Sequence, residues 1–387
     1  MINALIDNAT LNSATRLFAL QDSEYIAREI NIQSLDSFLE AYILNETLYV
    51  DEKFWASFLK IIPSNSRSYF NEVVVPLIFN ITDEIKLEDF LKSEMVFYIL
   101  NIFCDSSKKL HYYEDFLSYT GISFGNYSAA DGEMGNGIDI YIEIENGLKN
   151  IWGWDYNAAN IDHIDIVLLC YRTLNYIEIA NKNNMNLVCH EIRNYFINLV
   201  GYAYGLKVPA QLNDTNYRLI LEGIQGLTNK SYVRDTRNDI NSEKIVWDVM
   251  KLPFLPALIY EKSQNFEEIF SYAYEYRQKF KGYRETTEQL QELINNDEFQ
   301  KSDKIIAEID SFIKSMPELI NAPSFEYTIN IGLPLSFCLG ITPKGKVPKY
   351  FNVFKDMAYR YSLPKSYINS CERLFGDIRW NKNFNGY

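Results

Sequence analysis

Four acidic residues stand where the strands and helices of an α/β pattern are predicted to meet. They are Asp7 at the end of the first strand, Glu40 on the next helix, Asp165 at the start of a long helix, and Glu191 after a short strand. Because the carboxyl ends of parallel strands converge on one edge of a sheet, we expect these side chains to gather there. Carboxylates suit Mg²⁺ or Mn²⁺, which keep water for attack on a phosphodiester. The four residues are therefore the candidate catalytic and metal site.

Each of these carboxylates also has a structural interpretation. Asp7 could cap or turn the chain after a strand, and Glu40 fits the solvated face of an amphipathic helix. Asp165 stands where a helix N-terminus favours an acid. Glu191 could form an ordinary surface pair with Arg193. Both interpretations stay open from the sequence.

Two arginines flank the same predicted helix and strand. Arg172 and Arg193 could bind a phosphate group with the planar fork of the guanidinium. Each could equally pair with a nearby acid and serve the fold alone.

A third group of charges lies in the C-terminal half. Arg277, Lys281 and Arg284 are spaced i, i+4, i+7 on one helical face, with Tyr276 and Tyr283 close by. Such a face could follow a nucleic-acid backbone while the aromatic rings stack on bases. The alternative is a solvated charged face.

The elements that must position these residues begin with two strand and helix pairs in the first sixty residues. Apolar runs predict strands at 3–7 and 47–50, and helical spacing predicts helices at 35–44 and around Phe54 and Phe58. A mainly helical stretch is predicted at 63–120, a half-buried strand at 138–144, a long helix at 162–181 and a short strand at 186–190. A helical hairpin is predicted at 266–293 with 302–313, and a final helix at 352–377.

The order strand, helix, strand, helix is typical of a parallel sheet. We therefore expect a mixed α/β N-terminal region, with a small parallel sheet, flanking helices and a helical insertion, followed by a mostly α-helical C-terminal region. The α/β region is placed at residues 1–205, its insertion at about 60–160, and the helical region at 206–387.

Composition narrows the functional classes. The 387 residues include 37 Lys and Arg against 51 Asp and Glu, a formal net charge of -14, so a nucleic-acid site would have to be local. No apolar run is long enough for a membrane helix, and the N-terminus lacks a leader pattern, which favours a soluble cytoplasmic protein with no membrane contact. Five scattered cysteines form no CxxC pair, and nucleotide-binding glycine motifs are missing.

The carboxylate pattern resembles that of PIN-like metal-dependent ribonucleases. The resemblance rests on Leu5-Ile-Asp7, on Leu39-Glu40 before Leu48-Tyr-Val-Asp-Glu52, and on the helix from Asp165 leading to Asn186-Leu-Val-Cys-His-Glu191. It covers at most about 90 of the 387 residues, in two pieces. The final acid is Glu instead of Asp, and a cysteine replaces the usual hydroxyl residue two positions before it.

The resemblance implies a divalent-metal-dependent nuclease, with RNA favoured over DNA, that uses Mg²⁺ or Mn²⁺. It would act on RNA or single-stranded nucleic acid, and it could be a toxin or effector of a bacterial defence or toxin–antitoxin system. A protein partner or a homo-oligomer is also expected.

The alternative function is a non-catalytic, α-helical interaction subunit of a larger cytoplasmic complex. It is favoured by the acidity and by 29 tyrosines, a residue type enriched at protein interfaces.

Overall fold

The described part of the protein contains a small parallel sheet with helices packed against it. The computed structural model describes residues 3–19, 28–77, 85–93, 96, 138–153, 161–183, 185–190, 193, 255–295, 311 and 365–376. The sheet has four strands in the order β3-β2-β1-β4, and every neighbouring pair is parallel. The strands are β1 (Asn3–Ile6), β2 (Thr47–Asp51), β3 (Val74–Leu77) and β4 (Asn186–Val188).

The described ranges also contain ten α-helices and a 3-10 helix at Arg67–Phe70. In chain order they are α1 (Asn8–Ala19), α2 (Arg28–Leu44), α3 (Glu52–Ile61), α4 (Leu87–Lys92), α5 (Ile138–Trp152), α6 (Ile161–Lys182), α7 (Leu255–Lys262), α8 (Phe266–Lys279), α9 (Lys281–Asn295) and α10 (Lys365–Phe375). The small parallel sheet, its helices and the C-terminal helices confirm the predicted fold class.

The strand order places a topological switch point between β1 and β4. The chain steps from β1 to β2 and β3 on one side, and then returns to add β4 on the other side of β1. In open parallel sheets, the crevice outside the carboxyl ends of the strands at such a point is where ligands bind. The residues that follow β1 and β4 therefore lie at the position of greatest functional interest in the sheet.

One hydrophobic core joins the two halves of the sequence. Its fully buried members include Leu48 and Phe58 of the α/β region together with Phe270 and Tyr276 of α8 and Tyr367 of α10. Burying apolar surface contributes about 25 cal/mol per Å², so large aromatic side chains shared between regions hold them together strongly. The C-terminal helices thus complete the core of the sheet region.

Two predicted elements differ from the structure. Residues 138–144, expected as a strand, begin α5, because Ile144 and Leu148 are buried at helical spacing and the Trp152 indole nitrogen donates to the Leu91 carbonyl at 2.8 Å. The helix expected over 266–293 is broken at Phe280 into α8 and α9.

Three other elements were not predicted. Helix α1 starts directly after the first strand, β3 lies inside the stretch that was expected to be mainly helical, and α7 precedes the predicted helical hairpin. Within the described ranges, none of the helices combines the length and apolar character needed to span a bilayer.

Candidate functional site at the carboxyl edge of the sheet

Asp7 joins β1 to α1 and is fully buried. Its Oδ1 accepts a hydrogen bond from the Thr10 backbone N–H at 2.8 Å, which caps the N-terminus of α1. Its own N–H donates to the Val188 carbonyl at 3.1 Å, continuing the pairing of β1 with β4. The capping interpretation of Asp7 is therefore confirmed, and the cap fixes the carboxylate at the switch point.

The second oxygen of Asp7 connects it to the segment after β4. Oδ2 accepts from the His190 backbone N–H at 3.1 Å and lies 2.7 Å from Nε of Arg193. Both partners of this ion pair are fully buried. A buried carboxylate requires such compensation, because an unpaired charge away from water is very costly. Arg193 therefore neutralises Asp7 inside the fold.

Arg193 is itself held in place by α1 and α6. Its Nη2 donates to Asn8 Oδ1 at 3.0 Å, and its guanidinium lies 4.6 Å from the centroid of the Tyr176 ring. The Tyr176 hydroxyl donates to Asn8 Oδ1 at 2.9 Å and accepts from the Asn8 N–H at 3.0 Å. Asp7, Asn8, Tyr176 and Arg193 form one connected network, which we call the Asp7 network.

The two arginines that were predicted to bind phosphate are both buried. Arg193 pairs with an acid of the fold, as the structural alternative proposed, although the acid is Asp7 and the pair is fully buried. Arg172 is also buried, within α6. Phosphate binding by either residue stays a prediction.

Cys189 lies beside the network, directly after β4, and is buried. Burial raises the pKa of its thiol well above the ordinary value, the Asp7 charge raises it further, and Arg193 opposes the shift. The thiolate is the nucleophilic form of cysteine, so this side chain stays neutral and unreactive at neutral pH.

Asp51 is a site residue that the sequence reasoning did not select. It ends β2 as Asp7 ends β1, and its Oδ1 accepts from the N–H groups of Lys53 at 2.9 Å and Phe54 at 3.3 Å, capping α3. The β1–β2 register pairs Leu5 with Tyr49. Continued by two residues, this register sets Asp51 beside Asp7, with strands about 4.8 Å apart.

Asp51 differs from Asp7 because it is only half-buried. Its partial burial raises the pKa of the carboxyl above the ordinary value, while the two backbone N–H groups act in the opposite direction. The signal in the sequence was the repeated order of apolar strand, Asp and helix, which occurs at both Asp7 and Asp51.

The other predicted carboxylates are placed differently. Glu40 is half-buried on α2, where its charge acts on Tyr260 of α7. Asp165 lies on α6 eleven residues before Tyr176, which at 1.5 Å per residue is about 16 Å along the helix axis. Glu191 follows His190 in the chain and lies outside the described residues, as does the side chain of Asp165.

No group of three or more His, Cys, Asp or Glu side chains converges on a metal-binding geometry among those the structure describes. Only two of the four predicted carboxylates, Asp7 and Glu40, belong to that set. The convergence of all four on one metal stays a prediction.

The predicted nucleic-acid face of α8 and α9 is largely turned inward. Arg277 is buried, and its guanidinium donates to the carbonyls of Tyr42, Asn45 (2.5 Å) and Glu46 (2.8 Å) at the end of α2. Arginine near a helix C-terminus satisfies carbonyls that have no helical partner. A role in capping α2 therefore accounts for Arg277.

Arg284 joins the same end of α2. It donates from Nη1 to the Ile43 carbonyl at 2.7 Å and from Nε to Glu46 Oε2 at 2.9 Å. Lys281, the third member of the predicted face, is exposed and lies 3.7 Å from Glu285. The solvated-face interpretation is therefore wrong for Arg277 and Arg284, and nucleic-acid binding by the three residues stays a prediction.

No protein-family model, curated protein or solved structure matches this chain.

Proposed function

We propose that the protein is a divalent-metal-dependent nuclease, with RNA favoured over DNA, whose cation site lies at the carboxyl edge of β1 and β2. The observation that carries the proposal is the pair of aspartates that end these neighbouring parallel strands at equivalent register, Asp7 and Asp51. This edge adjoins the switch point of the sheet, the usual ligand position in such folds. Glu191, which follows the segment bonded to Asp7, is the third proposed ligand.

The two aspartates fit a hard divalent cation. A carboxylate offers about four lone-pair directions. Among the described residues, three groups approach Asp7: the N–H of Thr10, the N–H of His190 and Nε of Arg193. This set leaves a lone-pair direction for a cation. At Asp51 both backbone hydrogen bonds fall on Oδ1, so Oδ2 is the oxygen best placed to serve as a ligand.

Bound there, Mg²⁺ or Mn²⁺ would supply charge neutralisation for a phosphodiester and activation of water. The chain's own residues hold the site in shape. Arg193 pairs with Asp7 in its buried position, and Asn8 and Tyr176 fix the orientation of Arg193. These are positioning roles. The proposed ligand set omits Glu40, which lies towards α7, and Asp165, which lies far along α6 from the network.

The test is cleavage of RNA and single-stranded DNA by the purified chain with Mn²⁺ or Mg²⁺, compared with EDTA. The informative variant is Asp51→Asn. Asparagine is as good an N-cap as aspartate, so the helix cap is kept while the charge is lost. We expect a loss of activity of at least about hundredfold, because a metal ligand contributes several kcal/mol to the transition state.

Three comparisons sharpen this test. Glu191→Gln should lose activity as Asp51→Asn does, whereas Asp165→Asn and the exposed Glu285→Gln should retain it. Circular dichroism checks that each variant is folded. Absence of cleavage at high enzyme concentration, or cleavage that persists in EDTA, contradicts the proposal. Loss of activity in both Asp165→Asn and Glu191→Gln, with Asp51→Asn fully active, would favour the carboxylate set predicted from the sequence.

A second candidate function is a helical interaction subunit, which is supported by an aromatic surface on α8. Tyr274 is 38% exposed and stacks on Tyr69 with ring centroids 4.5 Å apart, and Phe266 is 41% exposed on the same helix. Aromatic residues of this kind are enriched at protein interfaces. Light scattering of the purified chain and of Tyr274→Ser measures the oligomeric state. A stable oligomer that is lost in the variant supports this function, and a monomeric wild-type chain contradicts self-association.

A further inference from the structure

A buried carboxyl group on α2 lies outside the site described above. Asp36 is 6% exposed, and each of its oxygens accepts a hydrogen bond from a tyrosine hydroxyl: Oδ1 from Tyr260 and Oδ2 from Tyr367, both at 2.6 Å. These tyrosines belong to α7 and α10. One carboxyl group thus joins three helices that are distant in sequence, and we call the three residues the Asp36 clamp.

Helix α10 is fixed to α7 next to this clamp. The rings of Tyr260 and Tyr367 stack with centroids 5.8 Å apart, and Phe375 meets the Tyr260 ring edge-on at 5.5 Å. Arg373 donates to the carbonyls of Tyr260 at 2.7 Å and Ser263 at 2.8 Å, at the end of α7. Among the described residues, these contacts join α10 to α7 beside the Asp36 clamp.

The charge of the clamp depends on one proton. Burial raises the pKa of Asp36 from 3.8 to about 7, and the hydrogen bonds from the two tyrosines oppose this shift. Burial and the nearby Asp36 raise the pKa of both Tyr260 and Tyr367 well above the ordinary value, so their hydroxyls remain donors.

Ionisable groups of α10 and α2 also lie close to the clamp. On α10, burial raises the pKa of the Cys371 thiol, which therefore stays neutral. The Arg373 guanidinium donates to carbonyls of α7. On α2, Glu40 lies one turn beyond Asp36, and its charge raises the pKa of Tyr260. Glu40 therefore requires a control of its own.

We propose that the Asp36 clamp is a proton-controlled latch for α10: a neutral Asp36 keeps the helix docked, and ionisation of Asp36 favours its release. The physical reason is that a buried carboxylate gains hydration when the helix that covers it moves away. The latch does not depend on the nuclease proposal, since none of its residues is a proposed ligand of the cation.

The size of the effect follows from linkage between proton binding and docking. If release restores the ordinary pKa of Asp36, the opening constant rises about tenfold from pH 6 to pH 8 and on the order of five hundredfold from pH 4 to pH 8. Most of the change falls below pH 7, since above it Asp36 is ionised in both states.

The test is hydrogen exchange of the peptide 365–375, followed by mass spectrometry of the full chain between pH 5 and pH 8.5. Exchange is expressed as protection factors, which removes the chemical dependence of exchange on pH. We expect the protection of 365–375 to fall about tenfold from pH 6 to pH 8 in the wild-type chain. Asp36→Asn should show no such fall, because the carboxamide keeps the shape and does not titrate.

Two further variants separate a latch from simple packing. Tyr367→Phe keeps the ring but removes a hydrogen bond that lowers the pKa of Asp36, so the pH midpoint of protection should move upward. Glu40→Gln should leave the midpoint unchanged. Three results would overturn the proposal. In the first, the protection of 365–375 does not vary with pH, and in the second, it falls equally in Asp36→Asn. The third is a pH midpoint that Glu40→Gln moves and Tyr367→Phe does not.

Discussion

The cap that Arg277 places on α2 gives the clearest single prediction of stability. Replacing Arg277 with methionine keeps a long apolar side chain but removes the donors to the carbonyls of Tyr42, Asn45 and Glu46. It also removes the guanidinium that lies 5.1 Å from the centroid of the Tyr42 ring. The buried carbonyls of Tyr42 and Asn45 and the partly buried carbonyl of Glu46 would each lose the guanidinium donor.

The magnitude follows from these contacts. Each hydrogen bond to a charged donor contributes about 1.5–3 kcal/mol, so three contribute several kcal/mol. The cost of burying the guanidinium offsets part of this sum, and burial indeed lowers the pKa of Arg277 to about 10. We therefore expect Arg277→Met to lower the free energy of unfolding by about 3–5 kcal/mol, because each buried carbonyl that loses its donor costs about 1–3 kcal/mol.

The assay is urea denaturation monitored by circular dichroism, with Lys281→Met as the matched control. Lys281 lies four residues away on the same predicted face, but its side chain is 70% exposed, so its replacement should change stability by no more than about 0.5 kcal/mol. Arg277→Lys keeps the charge without the fork and should fall between the two. A loss below about 1 kcal/mol for Arg277→Met, or an equal loss for Lys281→Met, would refute the capping role.

Three further predictions concern the buried polar groups. Arg193→Leu should destabilise the protein by about 3–5 kcal/mol because it leaves the buried Asp7 without its ion-pair partner. A double-mutant cycle with Asp7→Asn should show less than additive loss, and additive losses would contradict the pairing. Tyr176→Phe removes both hydrogen bonds to Asn8 and should cost about 1–3 kcal/mol in thermal unfolding, whereas an unchanged melting temperature would count against the Asp7 network. Between the unfolded pKa of 3.8 and the folded value of about 7, the folded state keeps a proton on Asp36 that the unfolded state has lost. The free energy of unfolding should therefore fall by up to about 4 kcal/mol as pH rises through this window, and then level off. Asp36→Asn should remove this slope, and an equal slope in the variant would contradict the assignment.

Periodicity predicted the elements whose hydrophobic pattern is long or strongly alternating. Helix α6 and strands β1, β2 and β4 were expected within a few residues of their observed bounds. Strand β3 was missed because it contains Pro76, and a proline within an apolar run argues against a strand. Residues 138–144 alternate as a strand does, but the contacts of α5 with α4 favour the helix. Tertiary packing decided this segment against its local pattern.

The partners of the charged residues could not be predicted from the sequence. Arg277 and Arg284 were predicted on one helical face, but they lie on α8 and α9, on either side of the break at Phe280. Both donate to backbone carbonyls more than 200 residues earlier in the chain. Arg193 likewise meets Asp7 across 186 residues of sequence. Spacing shows which side chains share a face of a helix, and only the fold decides whether that face meets solvent or a carbonyl.

The central claim, a divalent cation held at the carboxyl edge of β1 and β2, is tested most directly by titrating the purified chain with Mn²⁺. Free Mn²⁺ gives a six-line electron paramagnetic resonance spectrum that weakens when the ion binds. We expect the wild-type chain to take up Mn²⁺ and the folded Asp51→Asn variant to bind it at least about tenfold more weakly, while Asp165→Asn binds as wild type does. A wild-type chain that leaves the free Mn²⁺ signal unchanged, or an Asp51→Asn variant that binds equally well, would contradict the claim.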